Sequence, residues 1–311
     1  MGIVNTGSVL KMLLCFFCAV LLFACNEGGS SNAVPDRRDS GTIHISVDES
    51  FKPVIDEQVK VYESNNPGAK IIVHYKPEAE CLRDLGVDSV RMIITTRGLM
   101  PDEQAFVIDS FGIEPKSMVV AFDAIAVIVN GASADSFFTM QELRDLLTAK
   151  EKQRLSPVFD GTRATSTVRF IIDSVLEGKS LGPHVTAAQN STAVLDYVAK
   201  NKNAVGFIGV SWIGNPDDPA QLSTLKSVKM ANIESVDKPG AYIKPWRENI
   251  YYSRYPMVRD LVYVLKEKHQ HGLGNAFANF LSGERGQLVF RRAYLRPARH
   301  TFIIRPTSLN E

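Results

Sequence analysis

The chain has 311 residues, 45% of them apolar, and a formal net charge of +1. That length allows one large or two medium domains with a real core. The charge balance makes no case for nucleic-acid binding as the main task, although it leaves room for a few arginines gathered in a cleft.

At the N-terminus, Lys11 precedes "MLLCFFCAVLLF", an uncharged apolar run of 12 residues. A membrane-spanning helix needs about 20 such residues. The run has the length of a signal-peptide core and ends in "LFAC", Leu22 to Cys25. This ending resembles a bacterial lipobox, whose cysteine receives lipid and becomes the mature N-terminus. An ordinary signal peptide with a chance cysteine is the alternative. The reading is a lipoprotein signal peptide over 1–24, lipidation at Cys25, and a flexible tether over 25–40 rich in Gly, Ser and Pro. Cys15 and Cys18 then leave with the signal peptide, and Cys81 has no partner for an internal disulfide. The six histidines show no metal-ligand spacing such as HExxH, so no metal or other cofactor is expected.

After the tether, "TIHISV" (42–47) alternates like a strand. The stretch 51–66 has helical spacing with Val54, Ile55, Val59 and Tyr62 on one side, and "NPG" stops it. "KIIVHY" (70–75) is a second strand. A short helix near Leu82 to Leu85 leads to a third strand, "VRMIITT" (90–96). A helix over 101–112 starts with Pro101 in its first turn. "MVVAFDAIAVIVN" (118–130) is long enough to be one strand passing between two lobes. A helix over 139–148 carries a capping box, Thr139 with Glu142. A helix over 191–201 has Ser191 or Thr192 as its cap. "AVGFIGV" (204–210) is a buried strand, 257–266 another, and 275–293 two helices joined at Ser282-Gly283. Strands alternating with helices indicate an α/β fold with a largely parallel sheet.

The stretch "FDGTRATSTVRF" (159–170) gathers four hydroxyl residues, two arginines and a glycine ahead of an apolar helical pattern running from Val168 to Leu176. Hydroxyls at a helix start are common caps. So many donors with no carboxylate after Asp160 also suit an anion. Unpaired backbone N–H groups and the helix dipole favour negative charge there, and arginine adds a planar fork. A capped amphipathic helix with surface arginines is the plainer reading of the same residues.

Six segments in order resemble the phosphate-binding proteins of bacterial ABC importers, of the PstS type: "SVDESFKP", "IITTRGL", "FDAIAVIVN", "AVGFIGVSW", "YPMVRDLVYV" and "ANFLSGERGQ". The resemblance implies a two-lobed periplasmic-binding-protein fold of type II. Each lobe would be α/β, and two crossing strands would form the hinge. Lobe 1 would comprise 41–122 and 251–311, and lobe 2 residues 123–250. It implies a phosphate site built from Ser50, Phe51, Thr95, Thr96, Arg97, Arg163, Thr165, Ser166 and Thr167. Of the two arginines near the motif, Arg163 is favoured over Arg169. Ser50 also reads as a natural cap of the first helix. Arg97 stands where some family members carry an aspartate that accepts the proton of hydrogen phosphate; Asp48, Glu49 and Asp123 could restore that acceptor. Asp123 would hold the hinge or touch ligand.

The same resemblance implies a monomeric, non-enzymatic lipoprotein of the cell envelope, with inorganic phosphate and an ABC permease as partners and a lipid anchor in the membrane. A surface sensor or scaffold on the same fold is the main alternative, and a phosphate-ester hydrolase the lesser one. A hydrolase would need a nucleophile, base or metal that the motif does not offer. Finally, "FRRAYLRPARHTFIIRP" (290–306) is rich in arginine and has no acid. It reads as a solvated face with arginine stems over apolar surface, or as a contact for an anionic membrane or partner.

Overall fold

The computed structural model describes residues 36–161, 165–215 and 217–299. Among them one mixed sheet organises the chain, in the order β2 (Gly68–Lys76), β1 (Ser40–Asp48), β3 (Val90–Thr95), β12 (Val258–Leu265), β4 (Lys116–Asn130), β8 (Ala204–Gly209), β6 (Ser156–Phe159), β7 (Thr186–Ala187). Short strands β9 (Val228–Met230) and β13 (Arg296–Pro297) also pair with β4, while β11 (Tyr242–Ile243), β10 (Asn232–Glu234) and β5 (Phe137–Phe138) make a small separate sheet. The helices are α1 (Lys52–Asn65), α2 (Glu78–Asp84), α3 (Pro101–Phe111), α4 (Met140–Thr148), α5 (Ser166–Phe170), α6 (Ser191–Lys200), α7 (Pro219–Thr224), α8 (Arg247–Tyr251), α9 (Leu273–Ser282) and α10 (Glu284–Arg292).

β1 runs parallel to β2 and β3, and β6 parallel to β7 and β8. Parallel neighbours need covered faces, and these strands are accordingly apolar: Ile43, Ile45, Val47, Val205, Phe207 and Ile208 are buried. β4 belongs to both halves. Its first part pairs antiparallel with β12, and from Ile125 onward it pairs with β8. The chain entering β12 runs beside it: Ile125 N–H donates to the Met257 carbonyl at 2.9 Å, and the Tyr255 hydroxyl donates to the Ile125 carbonyl at 2.8 Å. This is the two-lobed α/β architecture expected, with the halves joined along β4 and β12.

Most elements fall where the spacing puts them. The Thr139–Glu142 capping box forms, and Gly112 closes α3 in the left-handed region at φ 61°. The short helix begins earlier than expected, at Glu78. Two caps differ. Asn190, not Ser191 or Thr192, caps α6 by accepting from Ala193 N–H. Ser50 does not cap α1; its hydroxyl donates back to Asp48, which caps a 3-10 turn at Glu49–Phe51.

A candidate oxyanion site at the strand ends

The sheet brings several chain turns together beyond the carboxyl ends of β1, β6 and β8, where ligands of open α/β sheets collect. At its centre is Arg259. The antiparallel register sets it directly opposite Asp123. Its Nε donates to Asp123 Oδ2 at 2.9 Å, and Nη2 lies 2.8 Å from the same oxygen as an ion pair without hydrogen-bond alignment. Nη1 donates to Ser166 Oγ at 2.9 Å and approaches Thr167 Oγ1 at 3.4 Å. The guanidinium also lies over the Phe51 ring, 5.3 Å from its centroid.

Ser50 joins from the other side. Its N–H and hydroxyl both donate to Asp48 Oδ1, at 2.9 and 2.8 Å, and its Oγ is 3.3 Å from Ser166 Oγ. Asp160 sits below the motif helix and receives Thr167 Oγ1 at 3.5 Å. Gly209 makes the close approach feasible. A Cβ there would stand 3.0 Å from the Ser50 carbonyl and 3.2 Å from both Arg259 Nη2 and Asp123 Oδ2.

The cluster is buried and unbalanced. Asp48, Asp123 and Asp160 face one described arginine, Arg259. Among the described residues, one oxygen of each carboxylate has no hydrogen-bond partner: Asp48 Oδ2, Asp123 Oδ1 and Asp160 Oδ1. Burial pushes the Asp160 carboxyl up to about 7, and the charges of Asp48 and Glu49 add to the shift. Burial also raises Asp48, with Arg259 working against it. Buried acids with spare lone pairs beside hydroxyl and guanidinium donors can take a ligand that is both anionic and protonated.

A second polar group ties the motif helix to the turn after β3. Glu78 is buried and accepts from Thr96 N–H at 2.9 Å and from Arg169 Nε at 2.6 Å. Arg169 Nη2 also donates to Thr96 Oγ1 at 2.7 Å. Burial opposes the charge on Glu78, but Arg169 and Thr96 hold its carboxyl below the ordinary value. Two further contacts fix the turn after β1: Ser191 Oγ donates to Glu49 at 2.7 Å, and Trp212 Nε1 to the Ser50 carbonyl at 3.0 Å.

Of the expected site residues, Ser50, Phe51, Ser166 and Thr167 meet around Arg259. Thr165 is the cap of α5, accepting from Val168 N–H. Thr96 belongs to the Glu78–Arg169 group, and Thr95 donates to the Arg97 carbonyl within its own turn. Arg97 does not reach the cluster. Both its terminal nitrogens donate to Glu103 on α3, at 2.7 Å each, because that carboxylate lies one helix start away. Arg163 and Cys25 lie outside the described residues. Asp123 bonds Arg259.

Arg259, Asp160, Glu78 and Arg169 were not assigned from sequence. Arg259 left a signal: it shares strand parity with Leu261, Tyr263 and Leu265, so the alternation of β12 sends a cation inward.

The fold resembles several solved structures. A phosphate ABC transporter substrate-binding protein from Clostridium perfringens, solved with bound phosphate, superposes with a TM-score of 0.68 at 19% identity, over 83% of this chain and 100% of that one. An ABC-type phosphate transport receptor from Vibrio cholerae gives 0.59 at 19% identity, with the same coverages. An OxyR variant from Corynebacterium glutamicum gives 0.55 at 14% identity, over 94% of this chain and 76% of that one. The fold thus serves differently named proteins and does not itself choose a ligand. No curated protein matches the chain. The model of the PBP superfamily domain matches residues 32–285, well over half of the chain, and the protein belongs to that superfamily.

Proposed function

We propose that this chain is a solute-binding protein that captures inorganic phosphate between its two lobes and hands it to an ABC permease. The lobes are taken as 41–122 with 251–311, and 123–250. The observation that carries the reading is Arg259 donating to Ser166 and Thr167 with Ser50 packed against them. Arginine and hydroxyls supply donors for a tetrahedral oxyanion. Asp48 and Asp160 supply acceptors that a protonated phosphate can satisfy and that fully ionised sulfate cannot. The cluster offers several converging hydrogen-bond donors and acceptors for holding an anion, which supports capture. Lipid attachment at Cys25 completes the reading and places the protein on the cell envelope.

Calorimetry on ligand-stripped protein tests it, with phosphate, arsenate, sulfate and molybdate in turn. Phosphate and arsenate are expected to bind, and Ser166→Ala to weaken both. A hundredfold excess of phosphate over its dissociation constant should stabilise the fold by about 2.7 kcal/mol. Silence with all four anions would leave the sensor or scaffold reading. For the anchor, fatty-acid labelling that persists in Cys25→Ala would count against lipidation there.

A further inference from the structure

The arginine-rich segment near the C-terminus divides in the fold. Arg296 is absorbed, stacked over the rings of Phe122 at 4.5 Å and Tyr251 at 5.1 Å. Arg291 and Arg292 are exposed. With Arg247 and Arg285 they line a groove of about 610 Å³ between α10 and α1. None of the four has a carboxylate within ion-pair reach among the described residues; the ion pairs all involve other residues. Their contacts are neutral: Arg247 Nη1 donates to the Arg291 carbonyl at 3.1 Å, and Arg285 Nη1 to Asn65 Oδ1 at 2.9 Å.

Helix electrostatics accounts for only half of this set. Arg291 and Arg292 lie in the last turn of α10, where cations are favoured. Arg285 lies in the first turn of α10 and Arg247 in the first turn of α8, where the dipole disfavours them. Between the arginines stands Leu288, 49% exposed, with Val61 and Tyr294 also lining the groove. Trp246 packs on Tyr294 with centroids 5.6 Å apart. Arginine, aromatic and exposed apolar groups together are the composition of a protein-binding hot spot.

The groove also carries Asp217, and it continues past Val289 and Arg292 to Glu57 and Asp218. A uniformly anionic bilayer laid on this face would meet those acids. A short segment can instead meet the four arginines and Leu288 without covering Glu57 and Asp218, which belong to the neighbouring stretch. We propose that this groove docks a protein segment in which acidic residues flank an apolar one, the apolar side chain seating on Leu288 and the carboxylates on the arginines. This goes beyond the phosphate reading and does not depend on it.

The test is fluorescence anisotropy at low ionic strength with a labelled peptide of alternating glutamate and leucine. Binding is expected, and the lysine–leucine counterpart should not bind. Arg285→Glu combined with Arg292→Glu should weaken binding at least about tenfold, as expected when charged hydrogen bonds are lost. Leu288→Ser should weaken the glutamate–leucine peptide and leave a polyglutamate peptide unchanged. Both variants change exposed side chains, and unchanged thermal melts will confirm their folds. No binding, equal binding of both peptides, or binding unaffected by either variant would overturn the proposal. Capture by phosphatidylglycerol vesicles that the glutamate–leucine peptide does not compete away would overturn it in favour of a membrane.

Discussion

The cluster around Arg259 and the turn at Thr95–Arg97 both join an arginine to a carboxylate, under opposite conditions. The Arg259 and Asp123 side chains are 2% and 0% exposed. The Arg97 and Glu103 side chains are 27% and 31% exposed. In the first, charges have lost their water and depend on each other. In the second, water screens the pair and can replace either partner. Similar bond lengths therefore carry different energies. Among the described residues the inner cluster also holds more acid than base, whereas Arg97 and Glu103 balance one for one. An excess of buried carboxylate is costly for folding alone, and it is useful only where a protonated ligand or a bound proton can answer it.

The comparison breaks most readily at Arg259. Arg259→Ala leaves Asp123 buried and unpaired, and the expected loss is about 3–5 kcal/mol in denaturant unfolding. Replacing both partners by leucine should cost clearly less than that. A single variant as stable as the native protein would mean that the pair is not desolvated.

Proton linkage sharpens the contrast. Asp160 is raised to about 7, so the fold binds its proton more tightly than the unfolded chain does. Its contribution favours the fold at low pH and is lost as pH rises through that value. Asp160→Asn should therefore be more stable than the native protein at about pH 8, by up to a few multiples of 1.4 kcal/mol, with the gap narrowing toward about pH 4. Glu78 has the opposite sign. Its carboxyl is held low, so its contribution is present above the ordinary glutamate range and fades as pH falls through the depressed value. Melts of Asp160→Asn and Glu78→Gln should depart from the native curve in opposite directions at about pH 8, the first upward and the second downward, and both gaps should narrow as pH falls.

A smaller effect is expected at Arg169, which leaves Glu78 with Thr96 alone when removed. Arg169→Ala should cost about 1–3 kcal/mol. It should also weaken phosphate binding if that latch helps hold the lobes together. The smallest effect is at Arg97. Arg97→Ala is expected to change stability by under about 1 kcal/mol and to leave phosphate affinity unchanged. A tenfold loss of affinity would show that Arg97 leaves Glu103 when ligand arrives.

What the sequence determined by itself is local and periodic. The strands β1 to β4, the helices α1, α3, α4 and α6, and the Thr139 cap follow from alternation, helical spacing and capping chemistry, all set by near neighbours. The motif at Thr165–Thr167 was also legible, because hydroxyls gather there before an apolar helix. What the tertiary structure decided is which charges meet. Arg259 and Asp123 are 136 residues apart, and only the antiparallel register of β4 and β12 makes them opposite. Arg97 was available to an anion until α3 placed Glu103 beside it, and Arg169 was a helix-surface residue until Glu78 came within reach. The side chain of an arginine can serve either a ligand or a carboxylate, and its choice depends on distance and burial. Both are properties of the packed chain, not of any short stretch within it.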